Sequence, residues 1–389
     1  MTRSLLLWIA GVAHVLAVIC PHGAQADEAG SSVAREIVAR AAVQRLTAGT
    51  RVLFEPNLER IIKAATSLDA GAPGARLSRD AHYLMLDVAA PTAAPDSRLA
   101  AAIHFPHDPD DAARLFNRRG IDNGGRLPWV LRERVNALAA ALQARDSDQI
   151  ARGAGIVIQL ATDAALPFNT TIHRDGPPSG KFHLPPASKT SGLDMCSTTR
   201  GRIQGWLIQH RRAAIETLIS EANWPCRIVK DPVEEAFAVM IDATASLDVV
   251  VAIDTELVAR WNVTDVATLL AIERTFLSEL EARCLPIMVS RLDAGACFAA
   301  GLLRLAAESS GVTVEAAVVK AVPEGKEPIH LIGSKNSKKF HLSTCRHAKT
   351  IKPENIVTFS SVEEAIKAGR EPCAVCKPDE HDPSGPSRR

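Results

Sequence analysis

Along most of the chain, apolar residues return every three or four positions, the period of a helix with one buried face. Over residues 33–66, Val33, Ile37, Ala41 and Leu46, then Leu58, Ile61 and Ile62, fall on recurring faces, with Pro56 marking a turn or helix start between them. From Leu127 a single stripe (Val130, Leu131, Val135, Leu138, Leu142) leaves Arg132, Arg134 and Arg145 outside it, which predicts an amphipathic helix. Another helix is predicted from near Gln149 through Ile156, Leu160 and Asp163 to Pro167. Residues 203–222, 232–260, 266–283 and 290–309 each carry an apolar face, and Asp231-Pro232 is a good start for the second, because proline suits the first helical position. Residues 68–80, 88–112 and 169–191 are dense in Gly, Pro, Asp or other polar residues and read as loop or irregular chain. No repeat at solenoid spacing occurs.

Composition sharpens this picture in three ways. Aromatic residues make up 4 % of the chain, with Tyr83 the single tyrosine, and alanine is abundant, so helix is favoured over strand. A hydrophobic content of 47 % over 389 residues supports a proper core and more than one domain. Charge is balanced, 45 basic against 44 acidic residues, which removes any global electrostatic case for nucleic acid or a membrane surface.

The ends of the chain suggest where it works. Arg3, the apolar run from Leu5 to Ile19 and the small-x-small triplet Ala24-Gln25-Ala26 have the layout of an export signal spanning residues 1–26. Cleavage after Ala26 would leave a mature protein beginning at Asp27, periplasmic or secreted. An uncleaved membrane anchor is the alternative, and Cys20 is a poor lipidation site because bulky Ile19 precedes it. No later stretch reads as long and apolar enough to cross a membrane, so no transmembrane span is expected in the mature chain. An oxidising compartment permits disulfides, and Cys196, Cys226, Cys284 and Cys297 could form two, in a pairing the sequence leaves open; buried thiols are the alternative.

The strongest chemical signal lies near the C-terminus. His341-x3-Cys345 is followed, after 27 residues, by Cys373-x2-Cys376. Two ligands from one turn and two from a Cys-x-x-Cys knuckle make a tetrahedral set, and three thiolates with one imidazole suit Zn²⁺ over the hard cations. One structural zinc ion is the expected cofactor. The organisation predicted is a helical domain over 27–321, a linker over 322–328 (VPEGKEP), a zinc module over 329–378 and a disordered tail over 379–389.

Within the helical part, Gly124-Gly125-Arg126-Leu127-Pro128-Trp129 and the later run Gln159-x3-Asp163-x3-Pro167-Phe168-Asn169-Thr170-Thr171 carry a resemblance, with His82-Tyr83 and Asp87 upstream. The stretch 30–310 resembles the zinc-dependent phospholipase C and single-strand nuclease superfamily, which is all-helical. In that family three zinc ions, held by an amino-terminal Trp and by His, Asp and Glu side chains, activate a water that attacks a phosphodiester. Here the pattern breaks. No amino-terminal Trp is available, Ala34, Gln159 and Asn169 stand where histidines would be, and Cys196 and Arg200 fall on the later His and Glu. A trinuclear site needs its carboxylates and imidazoles to offset desolvation, so most of its basis is gone. Asp69, His82 and Asp163 remain as candidates for a remnant site holding one ion; the alternative is that they are satisfied by hydrogen bonds at helix ends.

The C-terminal stretch, through Ser337-Lys338-Lys339-Phe340-His341, Cys345, Lys352-Pro353-Glu354-Asn355, Phe359-Ser360-Ser361, Ala368-Gly369-Arg370 and Pro372-Cys373, resembles the metal-binding domain of the Ada DNA-repair methyltransferase. Ser361 is expected to cap a short helix, with Glu364 at the capping-box position and Gly369 ending it. In Ada the first ligand is a cysteine that accepts a methyl group from a phosphotriester. Here that position is His341, and an imidazole lacks the thiolate nucleophilicity the transfer needs. The basic residues Lys335, Lys338, Lys339, Arg346, Lys349, Lys352, Lys367, Arg370 and Lys377 make nucleic acid or another phosphate-bearing ligand the candidate partner; a solvated basic face is the plainer reading.

Together these readings predict a mainly α protein: an all-helical, phospholipase C/nuclease-like but degenerate domain followed by a small α+β zinc module. The function expected is that of an exported, non-catalytic binding scaffold. A zinc-dependent phosphodiesterase and a DNA-binding protein are the alternatives.

Overall fold

The computed structural model describes residues 23–67, 77–89, 95–173, 184, 194–222, 226–312, 331–342, 345, 347–348, 351, 355–359 and 362–378. The chain is mainly α, with a four-stranded sheet at its C-terminal end. Helices α1 (Gly23–Gln44), α2 (Leu58–Thr66), α3 (Pro95–Ile103), α4 (Pro109–Arg118), α5 (Leu127–Ala144), α6 (Ser147–Ala165), α7 (Arg212–Glu221), α8 (Pro232–Arg260), α9 (Val266–Ala271) and α10 (Glu273–Ser309) build the body.

Helix α6 lies at its centre, packed by α1, α2, α5, α8 and α10. Asp146 caps its start, its Oδ1 accepting from the amides of Asp148 and Gln149 at 3.0 Å each. From Ala154 to Ala165 every residue is buried, Gln159, Thr162 and Asp163 among them, so the second half of this helix is enclosed on all sides by others. A Cβ at Gly155 would fall 2.5 Å from Ala64 Cβ and 2.8 Å from the Ile61 carbonyl oxygen, so its hydrogen lets α2 cross at van der Waals distance.

Four expectations are corrected. Residues 88–112 are not irregular: they contain α3 and α4, and the Pro and Asp density that suggested loop marks helix starts, since Asp108 caps α4 through the amides of Asp110 and Asp111 and Pro109 takes its first position. The helices expected over 266–283 and 290–309 are instead a short α9 and one continuous α10 that carries Pro286 in its interior. Residues 203–222 do not form a single helix: a wide π-helical stretch over Gly201–Leu207 and a short turn precede α7, broken at Arg211. Finally, α8 and α10 are each long and apolar enough to cross a membrane by length and composition. Both place more than half of that apolar window inside the body, and their acidic residues find partners there, Asp254 with Arg202, Asp248 with Arg98 and Asp293 with Arg45. The expected start of α8 at Asp231-Pro232 is observed, with the Asp231 carboxylate accepting from Val233 N–H.

Of Cys196, Cys226, Cys284 and Cys297, the second and fourth form a disulfide, while Cys196 and Cys284 are buried thiols. Burial, with Asp254 nearby, pushes the Cys284 thiol up to about 12. The candidate linker, the tail and most of the expected export signal lie outside the described residues; α1 runs across the expected cleavage point after Ala26.

The C-terminal sheet has the order β3-β1-β2-β4, from β1 (Leu331–Ser334), β2 (Lys339–Leu342), β3 (Ile356–Phe359) and β4 (Glu371–Pro372). Strand β1 pairs antiparallel with β2 and β3, and β2 pairs parallel with β4. One short helix, α11 (Val362–Lys367), ends at Gly369, whose φ of 74° is the left-handed conformation glycine adopts without strain. Ser361, expected as its cap, lies outside the described residues.

The buried Arg202–Asp254 pair ties α8 to the segment before α7. Arg202 Nε and Nη2 donate to the Asp254 carboxylate at 2.7 and 2.5 Å, Thr199 Oγ1 donates at 2.8 Å, and both charged side chains are fully buried. Asp254→Ala leaves the guanidinium uncompensated and is expected to lower unfolding free energy by about 3–5 kcal/mol in urea titrations.

Candidate metal centre

Alternation along β2 sets up the site. Phe340 turns to one face and packs with Leu331, Phe359, Val362 and Ala365, a small core between the sheet and α11. His341, the next residue, turns to the other face, which carries Ile332, Ile356, Ala348, Cys345 and Cys373. Cys345 follows a turn closed by its amide on the Leu342 carbonyl, 2.9 Å, and reaches back to within 3.7 Å of His341 Nδ1. The knuckle is held onto β2 by the Cys373 amide on the Phe340 carbonyl, 2.9 Å, and within itself by Lys377 N–H on the Cys373 carbonyl, 2.8 Å.

The four donor atoms of His341, Cys345, Cys373 and Cys376 lie within 4.8 Å of one another. With Zn–S near 2.3 Å and Zn–N near 2.0 Å, the S···N edge of a tetrahedron is about 3.5 Å, close to the Cys345–His341 separation. The electrostatics point the same way. Burial raises the Cys373 thiol, but the amides of Cys376 and Val375 aimed at its sulfur outweigh this and lower it. Burial, with Cys345 and Cys373 alongside, pushes Cys376 up to about 12. Three thiols this close cannot all ionise unless a cation shares the space, and a divalent metal supplies that charge. Burial, with His347 at 6.0 Å between ring centroids, lowers His341 and favours the neutral, ligating imidazole. His347 is an exposed neighbour that the sequence reading did not single out.

The other candidates divide. Asp69 lies outside the described residues, whereas His82 and Asp163 come together. The segment 79–87 is threaded between two turns. On one side Met85 N–H donates to the Gly124 carbonyl and Arg126 N–H to that of Asp80; on the other, Leu84 and Leu86 N–H donate to the carbonyls of Asn169 and Thr170. Gly125, at φ 95°, could carry no Cβ without striking the Tyr83 carbonyl oxygen at 2.2 Å, which is why the double glycine precedes Leu127-Pro128-Trp129.

This threading sets His82 Nδ1 2.7 Å from Asp163 Oδ2 and brings Asp87 to Thr171 Oγ1 and Ile172 N–H, at 2.6 and 2.8 Å. The sequence reading missed Arg35 of α1. Its Nη2 donates to both Asp163 oxygens, at 3.0 and 3.2 Å. Burial pushes the Asp163 carboxyl up, but Arg35 and His82 outweigh it and hold it below the usual range. Burial holds Asp87 above that range. Asn169 Nδ2 donates to the Asp163 carbonyl, and Gln159 is buried. The cation beside Asp163 is therefore a guanidinium belonging to the chain.

Of the basic residues in the C-terminal module, Lys339 is paired with Glu371 at 2.7 Å, and Arg370 donates to the carbonyls of Ser334 and Ser337 while lying over the Phe359 ring. Arg346, Lys349 and Lys352 lie outside the described residues.

A helical body with a Cys₃His zinc-binding module of α+β build is what fold and site define. Residues 327–379 match the family described as the metal binding domain of Ada. No curated protein matches the chain. The module holds one zinc ion through His341, Cys345, Cys373 and Cys376.

Two outcomes follow from these geometries. Because ligands must shed their protons to bind metal, zinc is expected to leave as pH falls, and Cys373→Ser is expected to abolish retention of the ion, both read by metal analysis after gel filtration. Asp163, with its pKa depressed below 3.8, contributes stability that is whole above that pH and lost as pH falls through the lower value. Asp163→Asn is expected to cost about 3–5 kcal/mol at pH 7 and to flatten the acid limb of the stability curve.

Proposed function

We propose that this protein is an exported, non-catalytic binding scaffold: a helical body, descended from the phospholipase C/nuclease type, joined to a module that one zinc ion holds together. The observation that carries this reading is Arg35. It places a fixed positive charge on Asp163, the carboxylate that the resemblance would give to a catalytic metal, and the neighbouring positions are Ala34, Gln159 and Asn169. At the zinc module His341 takes the place of the reactive thiolate, so the metal organises structure without activating a nucleophile. Export is supported by the leader-like residues 1–26 and by the Cys226–Cys297 disulfide, a bond that persists outside the reducing cytoplasm.

The expected outcome is one zinc per purified chain, an exported form beginning at Asp27, and no hydrolysis of bis-p-nitrophenyl phosphate in the presence of added zinc. Three or more bound ions, or hydrolysis that Asp163→Ala abolishes, would establish the phosphodiesterase reading instead.

A further inference from the structure

Helix α3 has two buried faces that serve different parts of the molecule. Arg98 and Ala102, four residues apart, share one face. Ala102 is fully buried in the core of the body, and Arg98 pairs with Asp248 of α8, both side chains largely buried. Ala100 lies two positions before Ala102, a rotation of about 200° around the helix, and therefore faces the other way. Ile103, three residues beyond Ala100, returns to that second face. There Ala100 is fully buried in a cluster with Ile332, Ile356, Ala348, Cys345 and Cys373, and Ile103, Ile351 and Cys376 pack against it. No described residue from 97 to 103 is exposed. Three of the four metal ligands thus belong to the same apolar cluster as the outer face of α3.

We infer that α3 is the docking surface for the zinc module, and that bound metal decides whether it is engaged. Metal binding and docking are thermodynamically linked. A module with so few buried residues depends on metal for its fold. Without zinc, the thiol-bearing turns that pack on Ala100 and Ile103 lose their geometry, and that face of α3 loses its cover. The inner face keeps its contacts with α8, so the body persists while α3 loosens. Coupling is reciprocal: whatever weakens docking must weaken zinc binding by the same factor. The inference takes one bound zinc as given, and metal analysis of each sample checks that separately.

Hydrogen–deuterium exchange on the full chain, zinc-loaded and after chelation, tests it. Chelation is expected to speed exchange of the 97–104 amides at least tenfold while those of α6 stay unchanged, and restored zinc is expected to reverse it. Ile103→Ser, and more strongly Ile103→Asp, are expected to give the same faster exchange with zinc present and to lower zinc affinity by about tenfold. Far-UV circular dichroism checks that the body of each variant remains folded. If chelation removes the ion and the 97–104 amides exchange as before, or if both variants bind zinc as the parent does, the inference is overturned. A chain purified without zinc that takes up none would defeat the metal reading, and this inference with it.

Discussion

A charge taken out of water must find its opposite, and this constraint recurs at four carboxylates of the helical body. Asp163 has Arg35, Asp254 has Arg202, Asp248 has Arg98 and Asp293 has Arg45. Each pair joins elements distant in sequence, and an ionised carboxylate left alone at such depth would cost far more than a surface ion pair returns. The cysteine cluster obeys the same rule with a different partner. Its thiolates carry the negative charge, and zinc balances them.

The two solutions have different consequences for folding. A guanidinium arrives with the chain, so the body acquires its countercharge by folding alone, and its wide apolar core does the rest. The module is too small for that. Its sheet has strands of two to four residues and its main apolar cluster holds five buried side chains. A site of four ligands closing a 36-residue span therefore supplies order that hydrophobic burial cannot.

How much of this could be read from the sequence followed the range of the interactions. The ligand set was legible because its signal is local, two pairs of residues at turn spacing, and strand alternation only had to bring those pairs together. The amphipathic stripe of α5 and the capped start of α8 were equally plain. Helices α3 and α4 were not, because proline and aspartate signal helix starts and loops alike, and α3 is too short to show a period. The break expected between 283 and 290 does not form: Pro286 there removes one amide, a loss that packing along the rest of α10 overrides. Arg35 stayed hidden for a different reason. Nothing in its neighbourhood of α1 marks it, and its meaning comes from Asp163, 128 residues away.

Arg35 also explains why the body and the module need not share a fate. In an arrangement where metal held Asp163 and the module alike, removing metal would threaten both. Here the body carries its own cation at Asp163, and metal dependence, as inferred above, falls to the module and to α3, which packs against it. Helix α3 sits at that boundary, with Arg98 and Ala102 committed to the body and Ala100 and Ile103 to the module. Its inner face is fixed by a buried ion pair and core packing, and its outer face is covered by a fold that depends on an ion from solution. The physical asymmetry between a tethered and a borrowed cation is thereby written across the two sides of a nine-residue helix.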